Sequence, residues 1–82
     1  MRTASLEAQT PEQIIKNNEF LDVIKERMGL KSDAALSRRL EVAPPVISKM
    51  RTGTLRVGAS LMLRVLDLDI MRIREIRLYV PH

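Results

Sequence analysis

Between residues 31 and 56 the chain carries Lys31, Arg38, Arg39, Lys49, Arg51 and Arg56 against Asp33 and Glu41, six cations to two anions and a local net charge of +4. Residues 1–30 hold four cations and five anions, and residues 57–82 hold four cations and three anions. The positive excess is thus concentrated in the middle of the chain. Such a segment is the footprint expected for a polyphosphate, because neutralising phosphates releases their condensed counterions. The competing reading is a solvated charged face, and charge alone does not separate the two.

Covalent and acid–base chemistry has little to work with. The only histidine is His82, there is no cysteine, and no glycine-rich phosphate loop is present. Ser60 and Asp67 fall about two turns apart on one helix with no base between them. No enzyme, no metal site and no cofactor is therefore expected. With two aromatic residues, Phe20 and Tyr79, the chain has no stacking platform for single-stranded nucleic acid, and its core must be aliphatic. Methionines 28, 50, 62 and 71 fall at core-like positions and read as gap fillers.

At 82 residues, 45% hydrophobic and 29% charged, the chain has room for one small folded domain. Without disulfides that domain relies on packing or on a second copy. No apolar run approaches a membrane span, and the N-terminus lacks the apolar stretch of a secretory signal, so a cytoplasmic protein is expected.

The helices that must position the cations can be read from caps and periodicity. Residues 1–9 show no periodicity and are expected to form a flexible arm, with Arg2 a weak candidate for reaching into a groove of DNA. The folded domain then spans 10–82. Thr10-Pro11-Glu12-Gln13 is a helix start: Thr10 can cap, Pro11 suits the first helical position, and Gln13 can close a capping box. Ile14, Phe20, Leu21, Ile24 and Met28 give the buried stripe, and Gly29 the stop, although Asn18 could cap a fresh start at Glu19. Ser32 caps a second helix carrying Ala35, Leu36 and Leu40. Pro44 and Pro45 confine the following turn to Glu41, Val42 and Ala43 and open a third helix that runs to about Thr52, closed by Gly53. After a loop over 54–58, Leu61, Met62, Val65 and Leu66 mark a fourth helix that breaks at Asp69. A last segment from about Met71 to Val80 offers Ile73, Ile76 and Val80 on one side. Alternation over Leu66–Ile70 has strand periodicity but no partner. The prediction is all-α, a small bundle of about five short helices.

Leu36, Leu40, Val42, Ile47 and Met50 are spaced for two short helices crossed over a tight turn, with the small Ser37 at their approach. If Ile47 and Met50 point inward, Pro45, Ser48, Lys49 and Thr52 lie on the opposite side of a helix that has the right width for the major groove. Ser48 has a competing role, bonding to the preceding turn of its own helix.

The run Leu-Ser-Arg-Arg-Leu-Glu-Val-Ala-Pro-Pro-Val-Ile-Ser-Lys-Met-Arg-Thr-Gly, residues 36–53, resembles the helix-turn-helix of the phage repressor and Cro type, also called XRE-like. That family's pattern is L-A-x-x-L-G-V followed by x-x-x-I-S-x-hydrophobic-x-x-G. The likeness covers Phe20 to Tyr79 by helix count, and its specific part about twenty residues. Two positions depart from it. Glu41 stands where the family commonly has glycine, so either Glu41 is left-handed or the turn has another shape. Pro44 and Pro45 stand where members often place Gln or Ser, which shifts readout towards Val46, Ser48, Lys49 and Thr52 and leaves the prolines thymine methyl groups to touch.

The resemblance implies a lambda repressor-like fold and a sequence-specific regulator of transcription, read as a repressor, bound to double-stranded DNA. Expected base contacts are Pro45, Val46, Ser48, Lys49 and Thr52. Expected phosphate contacts are Lys31, Ser32, Arg38, Arg51 and Arg56, with at least one of Arg38 and Arg39 instead solvated or paired with Asp33 or Glu41. A single reading helix discriminates weakly, so a homodimer on an inverted repeat is expected, with Ile76, Leu78 and Val80 as its surface or as completion of the monomer core. The alternative is a protein-interaction module, such as an antitoxin that neutralises a toxin or a small adaptor, that keeps the fold without reading DNA.

Overall fold

Thr10 opens the first helix, its hydroxyl accepting the Gln13 N–H at 3.1 Å, with Pro11 in the first turn where a missing N–H costs nothing. The computed structural model describes residues 9–80, which form α1 (Pro11–Arg27), α2 (Asp33–Leu40), α3 (Pro44–Thr52), α4 (Ala59–Asp67) and α5 (Ile73–Ile76). The expected arm, apart from Gln9, and His82 lie outside the described residues. Gln9 itself is tied down, donating to the Gly53 carbonyl and accepting from Asn17.

α1 is continuous through Asn17 and Asn18, so Asn18 starts no new helix. Its amide donates instead to the Ile14 carbonyl of the preceding turn and to the Arg51 carbonyl of α3. Gln13 closes no capping box either. Its side chain donates to Asn17 Oδ1 and to the Tyr79 carbonyl, tying α1 to the C-terminal turn.

Phe20, Leu21 and Ile24 of α1, Leu36 and Leu40 of α2, Ile47 and Met50 of α3, and Leu61 and Val65 of α4 form one buried aliphatic core, completed by Val57, Met71, Ile76 and Val80. The Phe20 and Tyr79 rings meet at 5.9 Å. α3 packs against both α1 and α2, and α2 against α4. Among the described residues all regular structure is helical, and no helix is long and apolar enough to cross a membrane.

The C-terminal third departs most from the periodicity. Leu66–Ile70 forms no strand, because Leu68 and Asp69 complete the last turn of α4 and Asp69 takes a left-handed φ of 59°. The last helix is one turn rather than a span from Met71 to Val80. Leu78 and Tyr79 bond three residues back, and Val80, which precedes Pro81, is biased away from helical conformation. Ile76 and Val80 complete the monomer core, whereas Ile73 is 50% exposed and Leu78 66% exposed. Of the residues expected as a dimer surface, Leu78 alone is free.

Candidate nucleic-acid interface

The turn between α2 and α3 begins at Glu41, whose φ of 57° and ψ of 44° are left-handed. The Glu41 N–H donates to the Arg38 carbonyl and the Val42 N–H to the Ser37 carbonyl, so the end of α2 is closed by main-chain bonds alone. The chain thus takes the turn that glycine would make easily and accepts the cost of a side chain there. Ser37 is buried and donates to the Ala34 carbonyl, leaving apolar neighbours room to pack closely.

Burial of Ile47 and Met50 fixes the roll of α3, and Pro45, Ser48, Lys49 and Thr52 are exposed on its open side as expected. Val46 is half-buried against the core, so a part of its side chain faces outward. The Ser48 hydroxyl makes no hydrogen bond among the described residues. The competing back-bond belongs to Thr52, whose hydroxyl meets the Lys49 carbonyl at 3.2 Å and Thr54 Oγ1 at 3.1 Å. The leading end of α3 offers, among the described residues, one free backbone donor, the Ala43 N–H. Ala43 caps without a side-chain bond, Pro44 and Pro45 have no N–H, and the Val46 N–H is used by the Ala43 carbonyl.

Arg51 is a correction to the sequence reading. Its guanidinium turns inward, Nε and NH2 to Asp33, NH2 also to Asp22, and NH1 to Asn18, all at 2.8–2.9 Å. Asn18 returns a bond to the Arg51 carbonyl, and Lys25 adds a second cation to Asp33 at 3.2 Å. With four of its five N–H donors engaged, Arg51 fixes α3 to α1 and to the start of α2 rather than standing free for a phosphate. The Arg51 bonds hold the Asp33 carboxyl below its ordinary range, with Lys25 contributing less, and Asp33 in turn raises the Arg51 guanidinium. One clue to this cluster is legible along α1. Asn18 and Asp22 lie four apart on α1, a spacing that puts two polar groups on one face.

Arg38 and Arg39 pair with neither Asp33 nor Glu41, since Asp33 is occupied and Glu41 lies 3.5 Å from Arg64. Lys31, Arg38, Arg39, Lys49 and Arg56 are all exposed and make no ion pair among the described residues. Arg56 lines a small recess beside Gln9, Gln13 and Asn17. Ser32 is a cap, its hydroxyl accepting the Ala35 N–H at 3.1 Å.

Two apolar clefts carry no local signature in the sequence. Val42, Val46, Met50, Leu55 and Ala59 line an open cleft of about 370 Å³ beside α3. Another, of about 280 Å³, lies between α4 and α5 and is lined by Met62, Leu63, Leu66, Ile73 and Ile76. Leu63 is 64% exposed there. No family model, curated protein or solved structure matches the chain.

Proposed function

We propose that this protein is a helix-turn-helix regulator of transcription of the repressor and Cro type, binding double-stranded DNA sequence-specifically as a homodimer with α3 in the major groove. The observation that carries this reading is the open side of α3, where Lys49 and Ser48 have no internal partner, in a segment whose other exposed cations, Lys31, Arg38, Arg39 and Arg56, are likewise unpaired among the described residues. Arg51, already neutralised, leaves the exposed set and serves as a positioning residue for α3. In this reading Lys49 and Ser48 meet base edges, and Lys31, Arg38, Arg39 and Arg56 meet phosphates, which fix register without reading sequence.

Dimerisation is proposed through the α4–α5 cleft, whose exposed Leu63 and Ile73 supply the apolar area that the buried Ile76 and Val80 do not. Acting as a repressor, the dimer would occupy an inverted repeat with half-sites about one helical turn, roughly 34 Å, apart. The same cleft favours a second reading, an interaction module that seats an apolar partner helix there, as an antitoxin or adaptor would.

The deciding experiment is a fluorescence-anisotropy titration with a pool of random duplex DNA at two salt concentrations, followed by sequencing of the retained fraction. Steeply salt-dependent binding that enriches an inverted repeat is the expected result. Absence of binding at low salt would overturn the DNA reading in favour of the interaction module.

A further inference from the structure

Resting on the DNA-binding reading, we infer that the leading edge of α3 reads the C5-methyl group of a pyrimidine, on thymine or on 5-methylcytosine alike. Ala43, Pro44 and Pro45 are exposed and Val46 half-buried, and the two proline rings present carbon with no N–H to donate. The apolar surface does not stop at the helix. It continues through Val42 and Val46 into the open cleft beside Leu55, with Arg56 at the rim. The exposed Lys49, one turn further along α3, lies within the same footprint, so an apolar ridge is flanked by the charge that would draw it onto phosphates.

The base edges in the major groove make the consequence specific. Thymine offers an O4 acceptor and a methyl group, cytosine an N4 donor and a bare C5. A proline ring neither donates nor accepts, so it does not distinguish O4 from the N4 amino group. The methyl group is the feature left for it to recognise. Thymine and 5-methylcytosine are therefore equivalent at this position, and deoxyuridine and cytosine equally poor. Methylation of a cytosine in the half-site then creates a contact rather than blocking one.

The test uses the full chain and the inverted-repeat duplex enriched from the random pool. Each thymine is replaced in turn by deoxyuridine, which removes the methyl group and nothing else, and cytosine and 5-methylcytosine are then compared at any position that responds. One responsive step per half-site is expected, with affinity falling about fourfold per methyl, the worth of one buried carbon group. 5-Methylcytosine should recover that factor over cytosine. In the Pro45→Ser variant, altered at an exposed position, the deoxyuridine penalty should shrink while binding to random duplex persists. Unchanged affinity at every deoxyuridine position, with binding to the repeat intact, would overturn methyl reading and leave the DNA reading standing. Failure to bind any duplex would overturn both.

Discussion

Glu41 holds the position where a glycine-like backbone is needed, and its left-handed conformation costs a non-glycine residue about 1–2 kcal/mol. Glu41→Gly removes that strain, gives back part of it as unfolded-state entropy, and loses an exposed 3.5 Å ion pair to Arg64 that is worth little. A net gain of about 0.5–1 kcal/mol is expected, seen in urea denaturation as a higher midpoint at unchanged slope. Gly53 has no such latitude. Its φ is 85°, and a Cβ there would meet Ile14 Cδ1 at 2.5 Å. Under the proposed DNA-binding function, Lys49 and Arg56, both exposed and unpaired, would make the two different kinds of contact. Lys49→Ala should weaken the enriched site by about 1–3 kcal/mol while sparing random duplex. Arg56→Ala should weaken all sequences alike and lower the salt slope by about one. Equal loss on every sequence for Lys49→Ala would remove it from the base-reading set.

At the scale of elements, α3 owes its place to two independent devices, the burial of Ile47 and Met50 and the Arg51 cluster on Asp33, Asp22 and Asn18. The cluster is pH-sensitive in a defined direction. Because the folded Asp33 carboxyl is held below its ordinary value of about 3.9, its contribution to stability is complete above that value and is lost as pH falls through the folded one. The stability difference between the native protein and Asp33→Asn should be constant from pH 7 to about pH 5 and shrink below about pH 4. A difference that does not diminish at all as pH falls below about 4 would show that Asp33 acts through packing and not through charge. Arg51→Met should cost about 1–3 kcal/mol in the same measurement, more than an exposed pair, since the Arg51 side chain is 21% exposed.

For the whole molecule, the described residues span 40 × 26 × 20 Å and contain a single α3, so under the proposed function one copy would read a single half-site. Two half-sites about 34 Å apart require a second copy. Leu63→Glu places a charge in the α4–α5 cleft at a residue that is already 64% exposed, so the monomer fold should keep its melting temperature measured at a concentration below that of dimerisation. Sedimentation at micromolar concentration should then show a monomer where the native protein is expected to sediment as a dimer, and affinity for the inverted repeat should drop while binding to random duplex remains. A native protein that sediments as a monomer with and without DNA would exclude the dimer.

The helices α2 and α3, their turn, and the open side of α3 were legible in the sequence, because caps, prolines and apolar spacing act over a few residues. Ser32, Pro44, Gly53, Ile47 and Met50 each do locally what their types predict. The cationic middle was likewise a matter of counting. Tertiary structure decided which of those cations are free. Arg51 and Lys49 are two residues apart and alike on paper, yet the roll of α3 turns Arg51 onto carboxylates 18 and 29 residues away and leaves Lys49 in solvent. It also decided the end of the chain, where Ile76 and Val80 fill the core and leave Leu63 and Ile73 outside. Periodicity specifies which residues share a face of a helix, whereas long-range packing selects which face is covered and which partner each charge meets.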